Sequence, residues 1–174
     1  MKMRKSKKTA TCTQKKRRTR LINVQRHKAS CGPIAIANLI KWYGIQTSYR
    51  AVLEFCAGIR AYHPRKGMFP YQMRYALLTL QIPFKVKRTL TVPEVNAILD
   101  GGGSIILIYA TKRKHEDHCV FIDTRAKDAY RTWNRMLKCP PLMLRDELET
   151  TLRRSSARKS KLFAFIFQPL KEQK

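Results

Sequence analysis

Acidic residues are scarce in this chain: 11 Asp and Glu stand against 37 Lys and Arg, a formal net charge of +26 over 174 residues. Other features are missing too, and each absence removes a class of protein. The five cysteines (Cys12, Cys31, Cys56, Cys119 and Cys139) are odd in number, scattered, and never in C-x-x-C spacing. Neither a zinc site nor a disulfide framework is indicated, so a reducing, cytoplasmic compartment is expected. No apolar run approaches the roughly 20 residues of a membrane span. No apolar stretch follows the opening charges before Leu21, which argues against a secretory signal. The chain therefore reads as soluble and separate from any transporter. Phosphate-cradling motifs are also lacking: Asp100-Gly101-Gly102-Gly103 has no GK[ST] after it and reads as a turn into a strand. No metal, no cofactor and no internal repeat is expected.

What is present starts with the charge itself. Residues 1–20 hold ten Lys or Arg and no acid, and too few apolar residues to pack. Such a tail is expected to be disordered and basic. It leaves +16 on residues 21–174, which are long enough to form one domain with a full core. Basic patches recur there at Lys112-Arg113-Lys114, Arg153-Arg154 and Arg158-Lys159-Ser160-Lys161. Their charge points to acidic protein partners or to nucleic acid, and with no base-reading motif in the sequence any nucleic-acid binding is expected to be independent of base sequence. A nucleic-acid or virion-associated location is compatible with that charge.

The most informative residue is Cys31. It opens Cys31-Gly32-Pro33-Ile34-Ala35-Ile36-Ala37-Asn38-Leu39-Ile40-Lys41-Trp42-Tyr43-Gly44, and Gln25 lies six residues before it. Pro33 suits a first helical turn, and Gly44 suits the position just past a helix end. The stretch is apolar on nearly every face, which predicts a buried helix. Unpaired N–H groups and the macrodipole at its N-terminus are expected to favour the Cys31 thiolate.

A nucleophilic thiol needs a base. His27, His63 and His115 sit in charged or proline-containing segments, whereas His118 starts the strand-like run His118-Cys119-Val120-Phe121-Ile122-Asp123. A second run, Ala129-Tyr130-Arg131-Thr132-Trp133-Asn134, follows shortly. Paired as a hairpin centred on Ala126, the runs place His118 opposite Asn134, with Cβ atoms about 5 Å apart. An Asn side chain there would accept the imidazole N–H and hold the ring. Asp123 is the rival orienter, but alternation along the strand turns it to the other face. The same alternation separates Cys119 from His118, so Cys119 is read as a bystander.

Gln25, Cys31-Gly32-Pro33 opening an apolar helix, His118 before a hydrophobic strand and a polar residue one hairpin later resemble the papain-like cysteine peptidases. Within these, the bacteriocin-processing (double-glycine leader) peptidases and their standalone relatives are the nearest resemblance, over residues 21–134. The resemblance implies Cys31 as nucleophile, His118 as base and then acid, Asn134 as orienter, and Gln25 as oxyanion donor beside the Cys31 N–H. That family more often carries Asp at the third position; Asn is the papain-type choice.

Helical patterns are predicted over 32–43, 48–57, 71–80 and 92–99, with a late amphipathic helix over 142–154 and a solvated loop over 155–161. Strands are predicted over 84–88, 104–110, 118–123, 129–134 and 161–168. Helices precede strands, so the class is α+β, with the Cys31 helix packed on an antiparallel sheet. The expected activity is cleavage of a peptide or isopeptide bond in a protein substrate. A transamidase using the same residues, or a basic nucleic-acid packaging protein on this scaffold, are the competing readings.

Overall fold

The computed structural model describes residues 21–22, 29–111, 116–134, 142–157 and 162–169. The basic tail, Gln25, His27, His115, Cys12, Cys139 and the patches at 112–114 and 158–161 lie outside the described residues. The elements run α1 (Cys31–Trp42), α2 (Tyr49–Gly58), α3 (Pro70–Thr79), β1 (Lys85–Lys87), α4 (Val92–Asp100), β2 (Ser104–Ala110), β3 (Asp117–Ala126), β4 (Ala129–Trp133), β5 (Leu142–Leu144), α5 (Arg145–Ala157) and β6 (Phe163–Phe167). The strands form one six-stranded sheet in the order β1-β6-β2-β3-β4-β5, with every neighbouring pair antiparallel. The class is α+β, as the order of sequence patterns predicts.

Local chemistry sets the helix boundaries. The Ser48 side chain accepts from Ala51 N and starts α2. At α4, Thr91 and Glu94 satisfy each other's backbone N–H groups, and Pro93 occupies the first turn. Lys87 and the Thr91 N–H hold the Glu94 carboxyl down at about 2. Gly44 takes φ +82 beyond α1, a left-handed conformation that costs a residue without Cβ little.

Two apolar layers sandwich the sheet. On one face Ile36, Leu39, Cys56, Met73 and Leu77 from α1, α2 and α3 pack against Ile106, Cys119, Phe121 and Phe165. On the other, Val95 and Leu99 of α4 and Leu148 and Leu152 of α5 cover Ile105, Leu107, Val120 and Ile122. Both faces of β2 and β3 are thus buried, which explains their nearly unbroken apolar runs. Each fully buried Ile, Leu or Phe contributes roughly 1.5–3 kcal/mol.

Three sequence expectations are corrected. The segment predicted as one helix over 142–154 begins as edge strand β5, pairing Tyr130 with Met143, and only then becomes α5. Ser155, expected in a solvated loop, is buried in α5, where its hydroxyl accepts from Ala110 N at 3.1 Å and donates to Thr151 O at 2.8 Å. The β3–β4 hairpin is also tighter than predicted. It turns on Lys127 and Asp128, pairs Ala126 with Ala129, and shifts register at Asp123 before pairing Phe121 with Trp133. His118 therefore lies beyond the β3–β4 ladder, not opposite Asn134 within it.

Candidate functional site

The geometry at the start of α1 is organised by Asn134. β4 ends at Trp133, and Asn134 takes φ +68, a left-handed conformation that Asn tolerates better than most residues. This turn brings two of its groups into use. Its main-chain carbonyl lies 2.7 Å from His118 Nε2. Its amide Nδ2 donates to Cys31 O at 3.3 Å and to Cys119 O at 3.1 Å. Two carbonyl oxygens in front of one end of the amide fix which end is the NH₂. Oδ1 is buried without a hydrogen-bond partner among the described residues.

His118 and Asn134 therefore meet, but through the backbone and not through the predicted side-chain acceptor. A carbonyl only accepts, so His118 Nε2 carries the proton and Nδ1 is the basic nitrogen of the neutral ring. The Tyr109 ring meets the imidazole edge-on, with centroids 5.8 Å apart. His118 is buried near the start of β3, where the sheet ends.

Cys31 is half-buried at the first residue of α1. Its thiol is pushed up by burial, outweighing the N–H groups of Cys119, Gly32 and Cys31 that favour the thiolate. The N–H groups at the start of α1 do favour the thiolate, as expected, but desolvation of the charged form exceeds their help. Nearby Asp117 adds to the upward push. Gly32 is required by packing, since a Cβ there would stand 2.8 Å from Met68 Cβ.

Cys119 is closer to this site than the sequence suggests. Alternation does turn it away from His118, but toward the core that α1 covers. Its N–H points to the Cys31 thiol and its carbonyl holds the Asn134 amide. Its own buried thiol is pushed well above the ordinary range, first by burial and then by Cys31.

The rival residues have structural duties. Asp123 accepts from Arg131 Nε at 2.8 Å and Nη2 at 2.6 Å, and from Trp133 Nε1 at 3.0 Å. These bonds occupy both carboxylate oxygens inside the β3–β4 hairpin, with Arg131 and Trp133 as partners. His63 Nδ1 accepts from the backbone N–H groups of Arg65 and Lys66, closing a loop whose ends pair at His63 and Gly67.

Sequence reasoning missed Asn38. This buried residue in α1 accepts from Ile22 N at 2.7 Å and donates to Ile22 O at 2.9 Å, tying the incoming chain to the helix. A polar residue in the middle of an apolar helix was the available signal, because buried amides are almost always bonded. It also missed Tyr62, whose hydroxyl is raised by burial, by Tyr49 and by the nearby Cys31.

Comparison with solved structures identifies this architecture. The peptidase domain of Streptococcus ComA, a bifunctional ABC transporter involved in quorum sensing, superposes with a TM-score of 0.55 at 13% identity. The match covers 84% of this chain and 97% of that one. A C39-like peptidase from Bacillus anthracis gives a TM-score of 0.59 at 10% identity, covering 86% and 94%. The fold is that of the papain-like C39 peptidases. No family model and no curated protein matches the sequence. Among the described residues, no group of His, Cys, Asp and Glu could hold a metal, and no helix is long and apolar enough to cross a membrane.

Proposed function

We propose that this C39-type domain is a cysteine peptidase in which Cys31 attacks a peptide or isopeptide carbonyl. One observation carries the reading: Asn134 holds the backbone of Cys31 with its amide and the ring of His118 with its carbonyl. The two solved structures compared above carry peptidase descriptions, which supports a protein or peptide substrate. His118 Nδ1 takes the thiol proton as the Cys31–carbonyl bond forms. The imidazolium then protonates the leaving amine, and water hydrolyses the thioester. Gln25 and the Cys31 N–H are the proposed oxyanion donors, an arrangement worth about 3 kcal/mol of barrier per donor. Burial raises the Cys31 thiol, which accords with His118 serving as the base that takes its proton.

Alkylation with iodoacetamide, followed by peptide mapping, tests the assignment. Cys31 should label ahead of Cys56 and Cys119, which are buried; burial pushes the Cys56 thiol up to about 12. Its labelling rate should climb as pH passes the ordinary thiol range, since a raised pKa leaves the neutral thiol dominant below it. Cys31→Ala should abolish peptide cleavage with the fold intact. Persistent cleavage by that variant would refute the proposal.

A further inference from the structure

The outer face of α3 is not used by the site described above. Its inner face buries Met73, Ala76 and Leu77, whereas Tyr71, Tyr75 and Leu78 stand 68%, 54% and 56% exposed. The spacing i, i+4, i+7 puts these three on one side of the helix. Phe69, at the helix entry, is 46% exposed and lies parallel to Tyr71, with centroids 5.8 Å apart and 6° between planes. A continuous row of exposed rings is an unusual thing to leave in water.

The stretch of sequence that carries that row is charged with one sign. From Phe55 to Pro93 the chain contains no Asp or Glu, but it carries Arg60, Arg65, Lys66, Arg74, Lys85, Lys87 and Arg88. Arg60, Arg65, Lys66 and Arg74 are exposed, and no ion pair occupies their side chains among the described residues. Flat apolar faces beside unneutralised cations match a ligand with flat apolar groups strung on an anionic backbone. We infer that the Phe69–Tyr71–Tyr75 face of α3 binds single-stranded nucleic acid, its bases stacking on the rings and its phosphates contacting Arg65, Lys66 and Arg74. Every base offers a π face, so the binding is independent of sequence. A duplex hides its bases in the stack, so this surface favours single strands. The inference stands apart from the peptidase proposal, because none of these residues belongs to that site.

Fluorescence anisotropy of labelled oligothymidylate, with a duplex of equal length as control, tests it on the full chain. The double variant Tyr71→Ala/Tyr75→Ala should weaken single-strand binding by about tenfold or more while leaving duplex binding unchanged. Tyr71→Phe/Tyr75→Phe keeps the rings and should bind like the parent, which separates loss of stacking from loss of fold. Arg74→Ala should lower the slope of log affinity against log salt by about 0.7, the contribution of one phosphate on a single strand. Cys31→Ala should bind as the parent does. Equal losses on both nucleic acids, or none on the single strand, would overturn the inference. So would stronger binding of an acidic, Leu- and Phe-containing peptide to the same face, which would make it a peptide dock.

Discussion

The two faces of the sheet are built from similar apolar side chains, yet they bury different kinds of polar group. On the α4–α5 face the buried polar contacts close upon themselves: Ser155 joins α5 to Ala110 of β2, and Tyr130 donates to Asn96 Oδ1 at 2.7 Å. On the α1 face they converge on one helix. Asn38 holds Ile22, Asn134 holds Cys31 and Cys119, and the thiol of Cys31 sits among backbone N–H groups. The difference matches what the proposed site would demand of the fold. One face stabilises the sheet, and the other holds a helix terminus in register with a strand end at the expense of desolvating a thiol.

The sharpest break in that comparison lies at His118 and Asn134. His118→Ala should lower turnover by about 10²–10⁴-fold, the usual worth of a positioned general base. Asn134→Ala keeps the carbonyl that receives the imidazole N–H, so its loss of turnover should be clearly smaller. Asn134→Asp is the discriminating variant. A carboxylate would face the oxygens of Cys31 and Cys119, and both stability and turnover should fall below those of Asn134→Ala. If the Asp variant matched the parent, the side chain would be acting as the ring's acceptor instead. Steady-state kinetics with urea unfolding on all three variants separates these outcomes.

Gly32→Ala should come next. Its added methyl would press on Met68 Cβ, costing about 1–3 kcal/mol of stability and shifting the first turn of α1. A fall in turnover larger than the stability loss explains would show that the helix terminus must be held tightly. Asn38→Ala removes two buried hydrogen bonds to Ile22 and leaves that residue's N–H and C=O without their partner. It should destabilise by about 2–4 kcal/mol in urea melts. Ser155→Ala, on the opposite face, should cost about 1 kcal/mol and leave turnover unchanged. Equal losses of activity from Asn38→Ala and Ser155→Ala, once stability is corrected for, would erase the distinction between the faces.

Much of this molecule was legible in the order of residues. Helical periodicity and capping residues placed α1, α2, α3 and α4 to within a residue or two, because Ser48, Thr91, Pro93 and Gly44 act on their immediate neighbours. β2 was predicted at its observed bounds. Cys31 at a helix start and His118 at a strand start were likewise readable, since each depends on local pattern alone. Residues 142–144 misled because their pairing partner, β4, is supplied by another part of the chain.

Tertiary structure decided the rest. Hairpin register depends on a two-residue turn and a bulge at Asp123, and a shift of this kind moves every opposed pair. The state of the Cys31 thiol depends on how much water the surrounding core removes, a quantity no local motif contains. Whether Asn134 offers its side chain or its carbonyl to His118 depends on the left-handed turn that ends β4. Local pattern along the chain was enough to name the candidate residues and the elements they ride on. Only the packed structure determined which atoms of those residues meet, because contacts between distant segments are set by the sum of packing across the sheet and not by neighbours along the chain.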